Sequence, residues 1–538
     1  MIPEIKFLKE NFTGNVWNPT TQTAYIERLK KEDFFEGTAT NNPAFSARDR
    51  INRAPKALGF VDLDPVINIT EPGEGLISGI DVGEVLLRQM LKFQLPSPYH
   101  KMKYPDLFRV KPYLEILRLI RTMGSISFDE LCLFGMQLTD YHLFDTVKSK
   151  IEGFRAERKR YSGGYKKFIH QKRKDVVMDI YRDDIESGDI ETRESPTVTT
   201  KDFVEKKYSN LRDYTDACIR YLRETGMITI SRGIQSNISI MEDKLNDVDL
   251  ILNTVDREPV NLDLSGFKVY LFDPTYPELY SDDKSNLIEY LMKIGSFTKK
   301  NLMGHEIGEL RRLKRETIED NKRVRVDAER ADLKTYQRYQ DIMDTYDNMM
   351  DTYDSPLMLE WNTWRAMTMI NDGEIVGNFK LDDLGWPMST APGNKPDISC
   401  HYDCFGLTVE VTLRSGQKQF DTEGESIARH LGKFKAETGK KSYCLFIAPI
   451  INNASIVYFY GLCKIPIAAH GGTATIIPIS LADFRYMIDN AYNSSPKPTS
   501  DDLLEFLEYA EKEAHNSENE NEWFGKISDK ARNWMRLA

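Results

Sequence analysis

The eight residues Gly406–Leu413, GLTVEVTL, constrain the fold of this chain more than any other stretch. Their alternation reads as a strand, with Leu407, Val409, Val411 and Leu413 on one face and Thr408, Glu410 and Thr412 on the other. A lone acid on a strand that otherwise reads as buried needs a partner or a cation. Asp397 stands 13 residues earlier, behind Pro396 at the start of a neighbouring strand. A break at Tyr402-Asp403-Cys404-Phe405-Gly406 folds the two strands into a hairpin that can bring both carboxylates together. Converging carboxylates are hard oxygen ligands that suit Mg²⁺, which activates water and neutralises charge on a transferring phosphoryl group.

The flanking sequence extends the pattern. A helix from about residue 423 has an apolar stripe at Ile427, Leu431 and Phe434, and Glu423 and His430, two turns apart, share its side. The run 442–450, SYCLFIAPI, is the next strand, and 356–370, PLMLEWNTWRAMTMI, is a preceding helix that carries Glu360. Helix, strands, helix and strand in this order indicate an α/β domain. The apolar stretch 444–469 is interrupted by Asn452, Asn453 and Lys464, so it reads as two or three buried strands and not as a membrane span. Three of these residues have a plainer reading: Asp397 as a turn acid after proline, Glu360 as an exposed helix residue, His430 as a packed histidine. The run CHYDC at 400–404 lacks a second ligand pair at zinc spacing and reads as a hairpin. GEGLISG at 73–79 does not fit a dinucleotide-binding loop.

The length of 538 residues suggests three or four domains, and a composition 41% hydrophobic and 29% charged is that of a soluble globular protein. No signal-peptide core precedes residue 12, and most of the six cysteines sit in apolar runs, which suits a reduced cytoplasmic setting. The net charge of −11 argues against indiscriminate nucleic-acid binding, but it is unevenly spread. Residues 151–176 hold nine Lys/Arg and three Asp/Glu, a local balance of +6, with Tyr161, Tyr165 and Phe168 interleaved. Residues 341–354 hold five Asp and no base, and 501–522 is acidic too. The segment 112–136 reads as helix, Gly turn and second helix, with a capping box from Ser127 to Glu130. Two helices over 200–226, the first with Thr200 as N-cap, precede a short strand, MITIS, an order like the end of a winged helix. Opposite charges at i,i+4 spacing through 281–345 suggest an exposed helical linker.

The set Glu360, Pro396-Asp397, Glu410-Val411-Thr412 and Glu423, with gaps of 37, 13 and 13, resembles the cleavage domain of the AlwI/PleI/MlyI group of type IIS restriction endonucleases, which includes relatives that nick one strand. RDRINRAPKALGF (48–60) and LLRQMLKFQLPSPYH (86–100) resemble that group's recognition half. The resemblance implies a multidomain α and α/β chain. Residues 1–280 would be a helical, winged-helix-like DNA-recognition region, 281–345 a helical linker, and 346–538 a PD-(D/E)xK α/β nuclease domain with an acidic C-terminal tail. It implies one or two Mg²⁺ ions held by Asp397, Glu410 and Glu423, with Glu360 and His430 also catalytic. Thr412 stands where many such sites carry lysine, so a second metal or His430 would share the work of orienting water. Arg48, Arg50 and Arg53 would read bases, and Lys56 would bind DNA beside them. Arg158, Lys159, Arg160, Lys166, Lys167, Lys172 and Arg173 would clamp the backbone of double-stranded DNA.

In that reading the enzyme cuts at a fixed distance outside a short asymmetric site, in a prokaryotic cytoplasm, alongside a cognate DNA methyltransferase. Cutting both strands needs a transient dimer, a second subunit or sequential nicking. Three rivals remain: a site-specific nicking enzyme of the same family, a non-cleaving winged-helix DNA-binding protein, and a repair nuclease that acts on DNA structure or ends.

Overall fold

The computed structural model describes residues 1–538 except 33, 36–41, 100–104, 192–198, 232–235 and 537–538. His100, at the end of one recognition segment, therefore lies outside the described residues. The chain is mixed helical and α/β and divides into two compact units, Met1–Thr317 and Ile318–Ala538. The stretch 281–345, expected as one linker, is shared between them. Leu287, Ile288, Leu291, Leu302 and Leu310 form a small core in the first unit. Leu333, Tyr336 and Ile342 join the main core of the second.

The first unit is largely helical. Helix Pro112–Met123 ends at Gly124, whose φ of +74° only glycine adopts without strain, and Ser127 then caps helix Phe128–Leu133. Ser127 and Glu130 form the reciprocal capping box that their spacing predicts. The basic block makes helices Phe144–Arg160 and Tyr165–Ile180. Residues 200–224 form one helix, Thr200–Glu224, capped by Thr199, where the sequence suggested two helices capped by Thr200. No breaker interrupts it, and its buried residues, from Phe203 and Val204 to Thr215, Cys218, Ile219 and Leu222, hold it continuous. Strands Ile126–Ser127, Asn237–Ile240 and Ile228–Ile230 form an antiparallel sheet in that spatial order.

The second unit is built on a five-stranded sheet. Its order is Ile476–Ser480, Ser442–Ala448, Gly406–Val411, Ile398–His401, Glu374–Gly377. The last three strands are antiparallel neighbours, and the first three are parallel. The parallel pairs need crossovers, supplied by helices Gln417–Thr438 and Asn453–Lys464. The second of these replaces one of the strands read into 444–469. Asn452 caps it, and Ile456, Phe459, Leu462 and Cys463 form a buried helical stripe. The central strand Gly406–Val411 is buried almost throughout and stops one residue before Thr412, shorter than its alternation suggested. Helix Ser355–Met369 is buried on every side from Leu357 onward, as a helix covered by sheet and neighbouring helices must be.

The acidic stretch 501–522 is not a tail. Helix Ser500–Asn516 buries Leu503, Phe506, Leu507, Ala510 and Ala514, and helix Glu520–Arg532 buries Trp523 and Ile527. The apolar stripe docks while the acids face water. All six cysteines are free thiols, and five of them are buried. Among the described residues no helix is long and apolar enough to cross a membrane.

Candidate active site

Four elements of the second unit deliver acids to one place. Glu360 comes from helix Ser355–Met369, Asp397 from the residue before strand Ile398–His401, Glu410 from the central strand, and Glu423 from helix Gln417–Thr438. The antiparallel register sets Val409 against Ile398, so Asp397 lies beside the end of the central strand. Its Oδ2 accepts a hydrogen bond from the Val411 N–H at 2.7 Å. Thr412 Oγ1 donates to Glu423 Oε1 at 3.2 Å and accepts from the Arg414 N–H at 3.1 Å. The Ala391 N–H donates to Glu360 Oε2 at 2.9 Å.

His430 joins the cluster from the same helix as Glu423. Its Nδ1 lies 2.8 Å from Glu410 Oε1 and its Nε2 lies 2.9 Å from the Gly393 carbonyl oxygen. A carbonyl only accepts, so the proton on Nε2 is assigned by its partner, and Nδ1 and Glu410 share a second proton. His430 thus ties the acid strand to the loop that leads into Asp397. Glu360 is buried, contrary to the exposed reading its sequence allowed.

Crowding of acids in a buried site sets the electrostatics. Burial, and next the charge of Asp397, raise Glu360 to about 9. Burial and then Glu410 push Asp397 well above the usual carboxylate range, and burial and then Glu423 do the same to Glu410. Burial lowers His430. Such close groups titrate as a set. A carboxyl raised in the folded chain binds its proton more tightly than in the unfolded chain, so it removes stability as pH rises from the unfolded value of about 4.5 toward 9. Glu360→Gln is therefore expected to raise the unfolding temperature of metal-free protein at pH 7, by about 2–4 °C per kcal/mol relieved. It should leave the temperature unchanged at pH 4, where both side chains are neutral. Thermal scans in EDTA at the two pH values check this.

All five residues expected at the site, Glu360, Asp397, Glu410, Glu423 and His430, therefore converge. Sequence reasoning missed three contributors. The 391–393 backbone contacts both Glu360 and His430. Gln419 is buried and donates to the Arg414 and Ile450 carbonyls at 2.8 and 2.9 Å. Arg414 places Nη1 3.8 Å from Glu423 Oε1. A helix glutamine and an exposed arginine carry no local signal, and the loop reads only as turn-rich.

The basic residues of the first unit fall into two groups. Arg50 pairs with Glu4 at 2.6 Å, Lys172 with Glu157, and Arg173 with Asp129 at 3.0 Å, all ties within the fold. Arg158 donates to the Tyr161 and Gly163 carbonyls at 3.2 and 3.3 Å and closes the helix end. Lys56 lies half-buried with Nζ 4.9 Å from the Tyr99 ring centroid. Arg48, Lys159, Arg160, Lys166 and Lys167 are exposed, as is Arg53, which pairs with Asp49 at 2.5 Å.

The sequence model of the AlwI restriction endonuclease family matches residues 56–487 of the 538. The chain belongs to the AlwI restriction endonuclease family. A site-specific nuclease that binds DNA is therefore the class of the protein, and the convergent acids lie inside the matched span. Among solved structures, the small subunit of the heterodimeric restriction endonuclease R.BspD6I is 27% identical, covering 36% of this chain and 98% of its own, at a TM-score of 0.32. The BpuJ1 endonuclease binding domain, in complex with pyrene- and phenanthrene-modified DNA, is 16% identical, covering 50% of this chain and 87% of its own, at a TM-score of 0.30. At these scores neither likeness adds to the family assignment. A search of curated protein sequences gives no match.

Proposed function

We propose that this AlwI-family chain is a type IIS enzyme, which binds a short asymmetric duplex site through its first unit and hydrolyses phosphodiester bonds at a fixed distance with its second. The convergence of Glu360, Asp397, Glu410 and Glu423 carries the catalytic half of the reading. The antiparallel sheet after helix Thr200–Glu224, with helices Pro112–Met123 and Phe128–Leu133 around its first strand, supports a winged-helix reading of the recognition half. The αβββαβ order of the second unit supports the PD-(D/E)xK reading.

The donor set fits a hard divalent cation: oxygen ligands only, in a cluster where burial, and next the acids' mutual repulsion, favours the protonated forms of Asp397 and Glu410. Among the described residues no three donors are spaced to grip an ion as they stand. Oxygens of Asp397 and Glu410 are instead turned onto the Val411 N–H and His430. Asp397, Glu410 and Glu423 are the residues that would hold Mg²⁺. The ion supplies an activated water and neutralises charge on the phosphoryl group.

The chain's own residues prepare that step. The Val411 N–H fixes Asp397, and His430 orients Glu410 through Nδ1 while its Nε2–H donates to the Gly393 carbonyl. Thr412 holds Glu423 in line with the strand. Glu360, raised to about 9 by burial and then by Asp397, would offer a fourth oxygen donor to the ion when deprotonated. Among the described residues the chain carries one such cluster, so one copy breaks one strand at a time. Double-strand cleavage then takes a transient dimer, a second subunit or a second nick. The natural setting is a prokaryotic cytoplasm where a cognate methyltransferase protects the host DNA.

The exposed cations Arg48, Lys159, Arg160, Lys166 and Lys167 are the better candidates for DNA contact on their exposure, whereas Arg50, Arg53, Arg158, Lys172 and Arg173 make contacts within the fold. Replacing Lys159, Arg160 and Lys167 together by Ala is expected to weaken duplex binding and flatten its salt dependence. Each lost phosphate contact should reduce the log–log slope by about 0.9. Fluorescence anisotropy across a salt series checks this, and an unchanged slope would move the clamp elsewhere. The reading as a whole is tested by incubating purified protein with a sequenced plasmid in Mg²⁺ or in EDTA. Discrete products in Mg²⁺ alone are expected, and intact plasmid under both conditions would contradict it.

A further inference from the structure

The acid cluster lacks the strand lysine that a phosphate-cleaving site of this layout would use as a local cation, because Thr412 stands there. Among the described residues no lysine forms an ion pair with Glu360, Asp397, Glu410 or Glu423. The one arginine that does is Arg414. It lies two residues beyond Thr412 at the open end of the acid strand, with its side chain 56% exposed. Its Nη1 is 3.8 Å from Glu423 Oε1, a loose contact that leaves most of the guanidinium's five donors for another anion.

The backbone beneath Arg414 is held firmly although its side chain is not. The Arg414 N–H donates to Thr412 Oγ1 at 3.1 Å, and its carbonyl accepts from the buried amide of Gln419 at 2.8 Å. The same Gln419 binds the Ile450 carbonyl and accepts from the Asn452 N–H at 2.8 Å, so it fastens the Arg414 turn to the end of the adjacent strand. Helix Gln417–Thr438 begins just after this turn, at Gly416, with no side-chain cap on its first N–H groups. A fixed root and an exposed planar cation beside one carboxylate of the cluster suit a phosphate oxygen, to which a guanidinium can offer two parallel donors.

We propose that Arg414 is a catalytic residue that contacts a non-bridging oxygen of the DNA phosphate at the cleavage site and supplies the positive charge that Thr412 cannot. The chemistry is recognition of a phosphodiester by a guanidinium. Its release from Glu423 leaves that carboxylate free to face a cation. The proposal rests on the nuclease reading above.

The test compares wild type, Arg414→Ala, Arg414→Lys and Glu410→Ala on sequenced plasmid DNA, under single-turnover conditions across a Mg²⁺ series. Mg²⁺ binding to the DNA-free proteins is followed by calorimetry. Arg414→Ala is expected to cut about 10²-fold more slowly at saturating Mg²⁺, the usual loss when one preorganised group at a developing charge is removed. Arg414→Lys should recover part of that rate, and Mg²⁺ affinity should stay within about twofold of wild type, since a surface side chain is all that changes. A wild-type rate for Arg414→Ala, beside an inactive Glu410→Ala, would overturn the role of Arg414 and leave the nuclease reading intact. A defect cured by more Mg²⁺, or a tenfold fall in Mg²⁺ affinity, would reduce Arg414 to a support for Glu423 and also overturn it. A wild type that cuts no DNA would sink both readings.

Discussion

Glu410→Ala should abolish cleavage, with a single-turnover rate about 10³-fold or more below wild type, while duplex binding stays within about twofold. Glu410 is the acid on which the others depend. It occupies the central strand, it shares a proton with His430, and its charge acts on Asp397. In the proposed reading its loss would remove an oxygen donor to the cation and free His430 together, so the cost exceeds the factor of about 10²–10³ for one donor at a developing charge. Glu410→Gln should be as inactive, because an amide keeps the shape and loses the charge. That variant is expected to unfold at a higher temperature than wild type without metal, since it relieves a buried acid crowded by its neighbours. Gel assays of cleavage, anisotropy of binding and thermal scans separate the three effects. Activity retained by Glu410→Gln would remove Glu410 from the site.

The second large effect is structural. Arg365 is fully buried on the helix that carries Glu360. Its Nε donates to Glu329 Oε1 at 2.8 Å, Nη1 to Asn362 Oδ1 at 3.2 Å and Nη2 to Asp341, and its guanidinium lies 4.4 Å from the Trp361 ring centroid. It therefore ties helices Ile307–Lys334, Tyr339–Asn348 and Ser355–Met369 into one body. Arg365→Met fills similar volume and leaves Glu329 and Asp341 without this partner. Breaking a buried pair costs about 3–5 kcal/mol. Asp341 is open to water and Glu329 keeps Arg338 at 3.2 Å, which points to the lower end, about 3 kcal/mol. The unfolding temperature of this unit should fall by about 6–12 °C. Urea titration followed by tryptophan fluorescence checks it, and a change below about 1 kcal/mol would mean the cluster is dispensable.

The parts of this molecule legible in its sequence are those with a strict period or a fixed spacing. The hairpin that joins Asp397 to Glu410 follows from a two-residue alternation and one break. The capping box at Ser127 follows from two residues three apart. Where a run is apolar on all sides, period gives no guidance, and Asn453–Lys464 read as strand although its buried residues mark a helix. Helix Gln417–Thr438 starts earlier than its stripe suggested because Gly416, at φ +62°, offers no side-chain cap to recognise. Charge misled in a different way. The acids of 501–522 line the outer face of docked helices, and half the arginines assigned to DNA are spent on Glu4, Asp129 and their own helix end. Arg414 left no trace, because its meaning lies in Glu423 and Gln419, which reach it only in the folded chain.

The most direct test of the whole account is to map where the protein cuts. A sequenced plasmid is digested in Mg²⁺ with wild type and with Glu410→Ala, and both strands of the product ends are read by run-off sequencing. Cuts are expected at one constant offset from a shared short asymmetric motif, absent in the variant and in EDTA. Cuts scattered without a common motif, or the same cuts made by Glu410→Ala, would contradict it.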